Sequence, residues 1–269
     1  MNKEKLIETY NEKGYVLFDE KPSYELANKL NEIIDNLEPK TFVPYSDSVP
    51  WGYGNLIENK EILSIYNLKE VMNKASSFLE KGKLICNHLL VTNKAPFIGP
   101  DVEWHQEFLN INSYAPGYEV NEDANKFAQL YKAIDEHTSE NGTLFIFEGS
   151  HKEGLLPSED IINNHLNHKR RVKYDSLKMV SSKYKLKPLL LKPGQSVLFN
   201  HLLVHGSPTN CSPYRRRALL LQFRISDKEK NQELFDSEVK HRTGFILEEI
   251  SKKYDKIGRS NLYSDWNKK

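Results

Sequence analysis

The segment Trp104-His-Gln-Glu107 carries the sharpest chemical signal in the chain. On a β-strand alternate side chains point to opposite faces, so His105 and Glu107 share one face and Gln106 takes the other. An imidazole nitrogen and a carboxylate oxygen side by side are two ligands for one divalent metal. A third must come from a distant strand. His205 is the best candidate, lying 98 residues after Glu107 at the end of the apolar run Val197-Leu-Phe-Asn-His-Leu-Leu-Val204. Two histidines and one carboxylate on one side of an iron(II) ion leave three positions open, enough for a bidentate keto acid and dioxygen. His201, four residues before His205, is a rival third ligand. Neither Cys86 nor Cys211 has a partner at zinc-site spacing.

A second signal follows in Pro213-Tyr-Arg-Arg-Arg-Ala218. Alternation puts Arg215 and Arg217 on one strand face and Arg216 on the other. A cosubstrate with two carboxylates needs a fixed cation inside the barrel, and the planar guanidinium binds a carboxylate through two parallel hydrogen bonds.

These residues need rigid strands to hold them. From residue 84 the hydrophobic period changes from about 3.6 to 2. Strands are expected over 84–92, 102–112, 126–135, 143–148, 186–191, 196–200, 202–206 and 216–225, separated by Gly- and Pro-containing turns. Many short strands imply a mainly β fold, here a double-stranded β-helix, or jelly roll, of cupin type. The first 83 residues read as mostly helical support: helices over 3–12, from Pro22-Ser23 onward, and over 67–82, with a short strand at 14–18 and a loop at 39–60 around Trp51, Tyr53 and Asn55. The polar stretch 157–185 reads as a lid or recognition insertion. Within it, Lys169-Arg-Arg171 reads as a solvated run; the sharper alternative is recognition of an acidic group on the substrate. Residues 227–269 return to a helical pattern. The expectation is one domain over 1–269.

Composition narrows the classes. Hydrophobic residues make up 38% of the 269, enough for a real core. With 38 basic and 37 acidic residues, the balance argues against nucleic acid or an anionic membrane as the main partner. Two cysteines make no disulfide framework. The absence of a signal-like N-terminus and of any long apolar run points to a cytoplasmic protein acting on a small molecule.

Taken together, these motifs resemble the phytanoyl-CoA dioxygenase family of Fe(II)/2-oxoglutarate oxygenases. That family shows His-Gln-Asp, an Asn-Gly-Xaa-Leu turn, Gly-Ser-His-Lys, then His-Gly-Ser with an arginine eleven residues after the histidine. Here stand His105-Gln-Glu107, Asn141-Gly-Thr-Leu144, Gly149-Ser-His-Lys152, His205-Gly-Ser207 and Arg216. The resemblance implies that His105, Glu107 and His205 bind iron and that Arg216 pairs with the distal carboxylate of 2-oxoglutarate, Ser207 donating to it. Tyr131 sits where the family often has a tryptophan lining the cosubstrate. Glu107 departs from the family's Asp by one methylene, and still supplies an oxygen; relatives that transfer halide lack this carboxylate. The implied reaction consumes dioxygen, hydroxylates a small polar metabolite and releases succinate and carbon dioxide. The same metal site could serve desaturation, epoxidation or cyclisation, and a non-catalytic jelly roll that binds metal or sugar is the rival from outside enzymology.

Overall fold

The computed structural model describes residues 2–18, 20–37, 42–46, 49–53, 56, 59–65, 68–107, 124–161 and 170–226. The expected helix over 227–269 lies outside them, as does 108–112 of the expected strand 102–112.

Two helices open the chain, α1 (Lys3–Lys13) and α2 (Tyr24–Asp35), with strand β1 (Tyr15–Leu17) between them. Their N-termini are capped as the sequence suggests: the side chain of Asn2 accepts from the Glu4 amide and that of Ser23 from the Leu26 amide. On α2, Ala27, Leu30 and Ile34 are buried, one face at helical spacing.

The strands follow: β2 (Phe42–Ser46), β3 (Val49–Tyr53), β4 (Lys83–Lys94), β5 (Val102–His105), β6 (Phe127–Ala133), β7 (Phe145–Glu148), β8 (Ser158–Asp160), β9 (Arg170–Val172), β10 (Lys185–Pro188), β11 (Ser196–Asn200), β12 (His205–Ser207) and β13 (Arg216–Ser226). They form a seven-stranded sheet in the order β1-β11-β6-β13-β4-β3-β2 and a four-stranded sheet in the order β10-β7-β12-β5, with β8 and β9 as a separate hairpin. Every pairing is antiparallel. This is the jelly-roll arrangement that the strand pattern predicts.

Strict alternation on the large sheet gives it two buried faces. Leu130, Leu198, Leu219, Leu221 and Phe223 pack outward with Tyr10, Leu30 and Ile34 of the helices. Tyr131, Ala133, Val197, Phe199 and Ala218 face the small sheet and meet Leu144, Ile146 and Leu189. The inward set is where the site forms.

Several expectations need correction. Residues 39–60 were expected as loop, but β2 and β3 pair as a hairpin there. Pro44 and Pro50 suggest a break, yet Pro44 lies on β2, the edge of its sheet, and Pro50 precedes the stretch of β3 that pairs with β4, Gly52 and Tyr53. The helix expected over 67–82 is α4 (Leu68–Ala75), preceded by α3 (Lys60–Ile65) and followed by a single 3₁₀ turn. The strand expected over 202–206 starts later, because Asn200 forms a turn: its side chain accepts from the Leu202 amide and its carbonyl from the Leu203 amide. The insertion 157–185 has its own structure, the β8–β9 hairpin and helix α5 (Tyr174–Lys183). Val172 and Val180 seat it against Phe147, Leu156 and Val204.

Candidate active site

A cavity of about 200 Å³ lies between the two sheets. The large sheet lines it with the alternate residues of three neighbouring strands: Leu90, Thr92 and Lys94 of β4, Gln129 and Tyr131 of β6, and Arg216, Leu220 and Gln222 of β13. Register aligns them in rows, with Arg216 opposite Lys94, Leu220 opposite Leu90 and Tyr131, and Gln222 opposite Gln129. His105, Glu107, His205 and Ser207 enter from the small-sheet side.

β5 and β12 pair so that His105 and His205 stand directly across from each other. Their rings lie 4.1 Å apart between centroids. Each Nδ1 is hydrogen-bonded to the carbonyl two residues earlier, Glu103 for His105 at 2.7 Å and Leu203 for His205 at 2.8 Å. That bond makes Nδ1 the donor and leaves Nε2 as a lone pair directed inward. The two Nε2 atoms lie 3.6 Å and 3.2 Å from Glu107 Oε1. All three ligand atoms fall within 4.8 Å of one another, a group that could hold one metal ion.

Glu107 reaches this point by a route that plain alternation does not anticipate. β5 ends at His105. The Glu107 amide then donates to the carbonyl of His201, 2.9 Å away. Gln106 locks the bend: its amide nitrogen donates to the carbonyls of Gly154 and Leu202, and its oxygen accepts from the Leu156 amide. The extra methylene of Glu over Asp is taken up by two glutamines, Gln129 donating to Oε1 at 2.9 Å and Gln222 to Oε2 at 3.3 Å.

The protonation states suit metal binding. Burial and the neighbouring His205 lower the His105 pKa, which favours the neutral ring. Burial alone would raise the Glu107 carboxyl, but hydrogen bonds and charge from His105 and His205 hold it well below the usual carboxylate range. Two imidazoles and a carboxylate, with no thiolate, form a donor set suited to ferrous iron.

The dicarboxylate end is as specific. Arg216 is 4% exposed and, among the described residues, has no carboxylate within ion-pair reach. Its guanidinium donates to the hydroxyls of Tyr131 and Thr92, and its Nε is buried without a hydrogen bond. A buried cation lacking a counter-charge is costly, so the pocket is built for an anionic visitor. The neighbours in the run behave oppositely: Arg217 forks onto Asp135 at 2.9 and 3.0 Å, and both Arg215 and Arg217 reach Asp35. Asn210 fixes the turn before Arg216 by donating to the carbonyls of Lys94, Ala95 and Tyr214. Gly142 adopts φ +77°, and a Cβ there would stand 2.6 Å from the Pro208 carbonyl, so the Asn141-Gly turn packs against the segment after β12.

All six candidate site residues therefore line one cavity. His201 does not join the ligand group; its ring lies beside Phe127. The Trp51, Tyr53 and Asn55 side chains lie outside the described residues. Sequence reasoning missed Gln129, Gln222, Thr92 and Lys94. Their signal was present as polar residues at the inward phase of otherwise apolar strands. Lys94 is the most unusual, 1% exposed and hydrogen-bonded to the carbonyls of Ser207 and Pro208. Burial, then the Arg216 charge, push its pKa down to about 6.

The sequence matches the family description "Phytanoyl-CoA dioxygenase (PhyH)" over residues 10–218. The chain belongs to the phytanoyl-CoA dioxygenase family. A curated relative in that family, phytanoyl-CoA dioxygenase 1 of Oryza sativa subsp. japonica, is 33% identical over 130 residues, 48% of this chain and 40% of the rice protein. The chain thus spans under half the length of that relative. Among solved structures, EctD from S. alaskensis with 2-oxoglutarate and 5-hydroxyectoine is 18% identical with a TM-score of 0.64, over 82% of this chain and 75% of that one. EvdO2 from Micromonospora carbonacea var. aurantiaca, complexed with 2-oxoglutarate, is 18% identical with a TM-score of 0.65, over 86% and 95%. At these identities the likeness speaks to the fold, which this family member shares with both. Among its described residues no helix is long and apolar enough to cross a membrane.

Proposed function

We propose that this chain, acting as one oxygenase domain, uses Fe(II), 2-oxoglutarate and dioxygen to hydroxylate an unactivated C–H bond of a small polar metabolite. The observation that carries the reading is a single cavity holding His105, Glu107 and His205 within 4.8 Å of each other together with a buried arginine that has no acidic partner among the described residues.

When bound, iron with its keto-acid cosubstrate and dioxygen supplies the oxidising power, with succinate and carbon dioxide as co-products. The chain's own residues do the rest. His105 and His205 present their Nε2 atoms to the cavity because each Nδ1 is held by a backbone carbonyl. Glu107 brings the third donor, its carboxylate held and aimed by the amides of Gln129 and Gln222. Arg216 takes the distal carboxylate of 2-oxoglutarate through its fork, oriented by the hydroxyls of Tyr131 and Thr92, and Ser207, which lines the same cavity, donates to it. Leu90, Leu144, Phe199 and Leu220 keep water from the reacting centre. The carboxylate of Glu107 occupies the position that halide would need, which favours hydroxylation over halogen transfer.

The test is succinate release by the purified chain with ferrous iron and 2-oxoglutarate, with and without air, across a panel of candidate metabolites. The expected result is release that requires all three and is stimulated by particular panel members. Metal-dependent turnover that ignores dioxygen would mark a hydrolase. Metal binding without succinate would mark a binding protein. Either outcome overturns the proposal.

A further inference from the structure

The cavity has a third cationic lining residue, Arg170, which neither the metal group nor the keto-acid pocket employs. It sits at the start of β9, in the hairpin of the insertion rather than in either main sheet. Alternation fixes its direction. Val172, two residues on, is 3% exposed in an apolar cluster with Phe147, Leu156 and Val204, so Arg170 shares an inward face. Arg171 faces the other way and is held by Glu159 at 2.8 Å and by Glu103 at 3.1 Å. Glu103 lies on β5, two residues before His105, so the hairpin is tied to the strand that carries a metal-ligand candidate. The two residues after Arg170 are therefore anchored, one by ion pairs and one by apolar packing.

Its own pairing is weak. Its Nε lies 3.4 Å from Asp160 without the alignment of a hydrogen bond, and the Asp160 side chain is 82% exposed. An ion pair so open to water is screened and contributes little, so the guanidinium is available to a better partner. The charge balance asks for one. Lys94, Arg170 and Arg216 line the cavity against one carboxylate, Glu107. Ferrous iron and 2-oxoglutarate offset each other, as do Glu107 and Arg216, while Lys94 is turned to the carbonyls of Ser207 and Pro208. Arg170, with its side chain 39% exposed, then keeps only the open pair with Asp160 among the described residues, and a cation at the edge of the cavity draws anions toward it.

We propose that Arg170 anchors the substrate by an anionic group, a carboxylate or a phosphate, and so restricts this oxygenase to acidic metabolites. The inference rests on the oxygenase reading and names the substrate class within it. Arginine suits the task because its fork fixes the orientation of the bound group, and hence which C–H bond faces the metal.

The test uses the full chain and two arms. In the first, propionate and inorganic phosphate are titrated calorimetrically, without air, into chain saturated with ferrous iron and 2-oxoglutarate, for the native protein, Arg170→Lys and Arg170→Gln. One of the two anions is expected to bind the native chain, weaken modestly in the Lys variant and weaken about tenfold or more in the Gln variant. Which anion binds separates a carboxylate substrate from a phosphorylated one. In the second arm, carboxylate-bearing metabolites and their carboxamide counterparts are compared as stimulators of succinate release; only the acids should stimulate, and Arg170→Gln should abolish the preference. Equal stimulation by acids and amides, or anion binding that survives Arg170→Gln, overturns the assignment. So does a rise in the 2-oxoglutarate dissociation constant of Arg170→Gln, which would make Arg170 part of the cosubstrate pocket. A chain that releases no succinate at all defeats the oxygenase reading, while the binding arm still decides whether Arg170 holds an anion.

Discussion

The two sheets serve the same cavity in different ways. The seven-stranded sheet contributes through long regular strands: β4 and β13 pair over eleven positions, with one irregularity near Gln222. The four-stranded sheet contributes through short ones, β5 with four residues and β12 with three, whose register shifts between His205 and Ser207. Long ladders set polar groups in rows, the arrangement that the proposed binding of an extended diacid calls for. Short strands ending at the cavity let three ligand atoms converge on a point, which no flat ladder can do. Recognition comes from regularity here, and coordination from its interruption.

Replacing a convergent ligand tests the second half of that contrast most severely. His205→Ala should lose metal affinity and reduce succinate release by about a thousandfold or more, since an essential ligand sets both. Iron binding by equilibrium dialysis and turnover are the checks, and an active variant would show that the point of convergence lies elsewhere. Arg216→Ala breaks the first half. The 2-oxoglutarate requirement should rise about a hundredfold, consistent with loss of a buried charge partner, while dialysis still finds iron bound. Unchanged cosubstrate dependence would reject the row-recognition account. Gln129→Leu probes the seam between sheets, where a large-sheet residue holds the Glu107 carboxylate. Iron affinity should fall about tenfold to a hundredfold with the fold intact by circular dichroism.

The smallest effect concerns Lys94. Its pKa falls from 10.5 to about 6 on burial, so between those values the unfolded chain binds a proton that the folded chain does not. Stability should then rise as pH increases from about 6 toward 10 and be lost on acidification through that window. Thermal melts across this range should show a flatter profile for Lys94→Met. An equally steep profile would mean that other groups set the slope.

The sequence made the regular parts readable. A period of two in 216–225 separates Arg216 from Arg215 and Arg217, and the structure places them on opposite faces for that reason. The family resemblance pointed to the six residues that line the cavity, but not to how Glu107 gets there, because a strand that stops after His105 and a backbone bond to His201 leave no trace in local spacing. Thr92, Lys94, Gln129 and Gln222 were missed because a polar residue on a strand reads the same whether it faces solvent or a cavity; only the pairing register tells. The hairpin of β2 and β3 was hidden by Pro44, which the edge strand accommodates, and by Pro50, which lies outside the pairing of β3 with β4.

The pairing of His105 with His205 has a further consequence for assembly. Under the proposed ligand set, two of the three donors leave the ribosome about a hundred residues before the third. An unfinished chain would then offer iron only adjacent donors. The full chelate would form when the late strand docks beside the early one, so that metal retention would report completed folding.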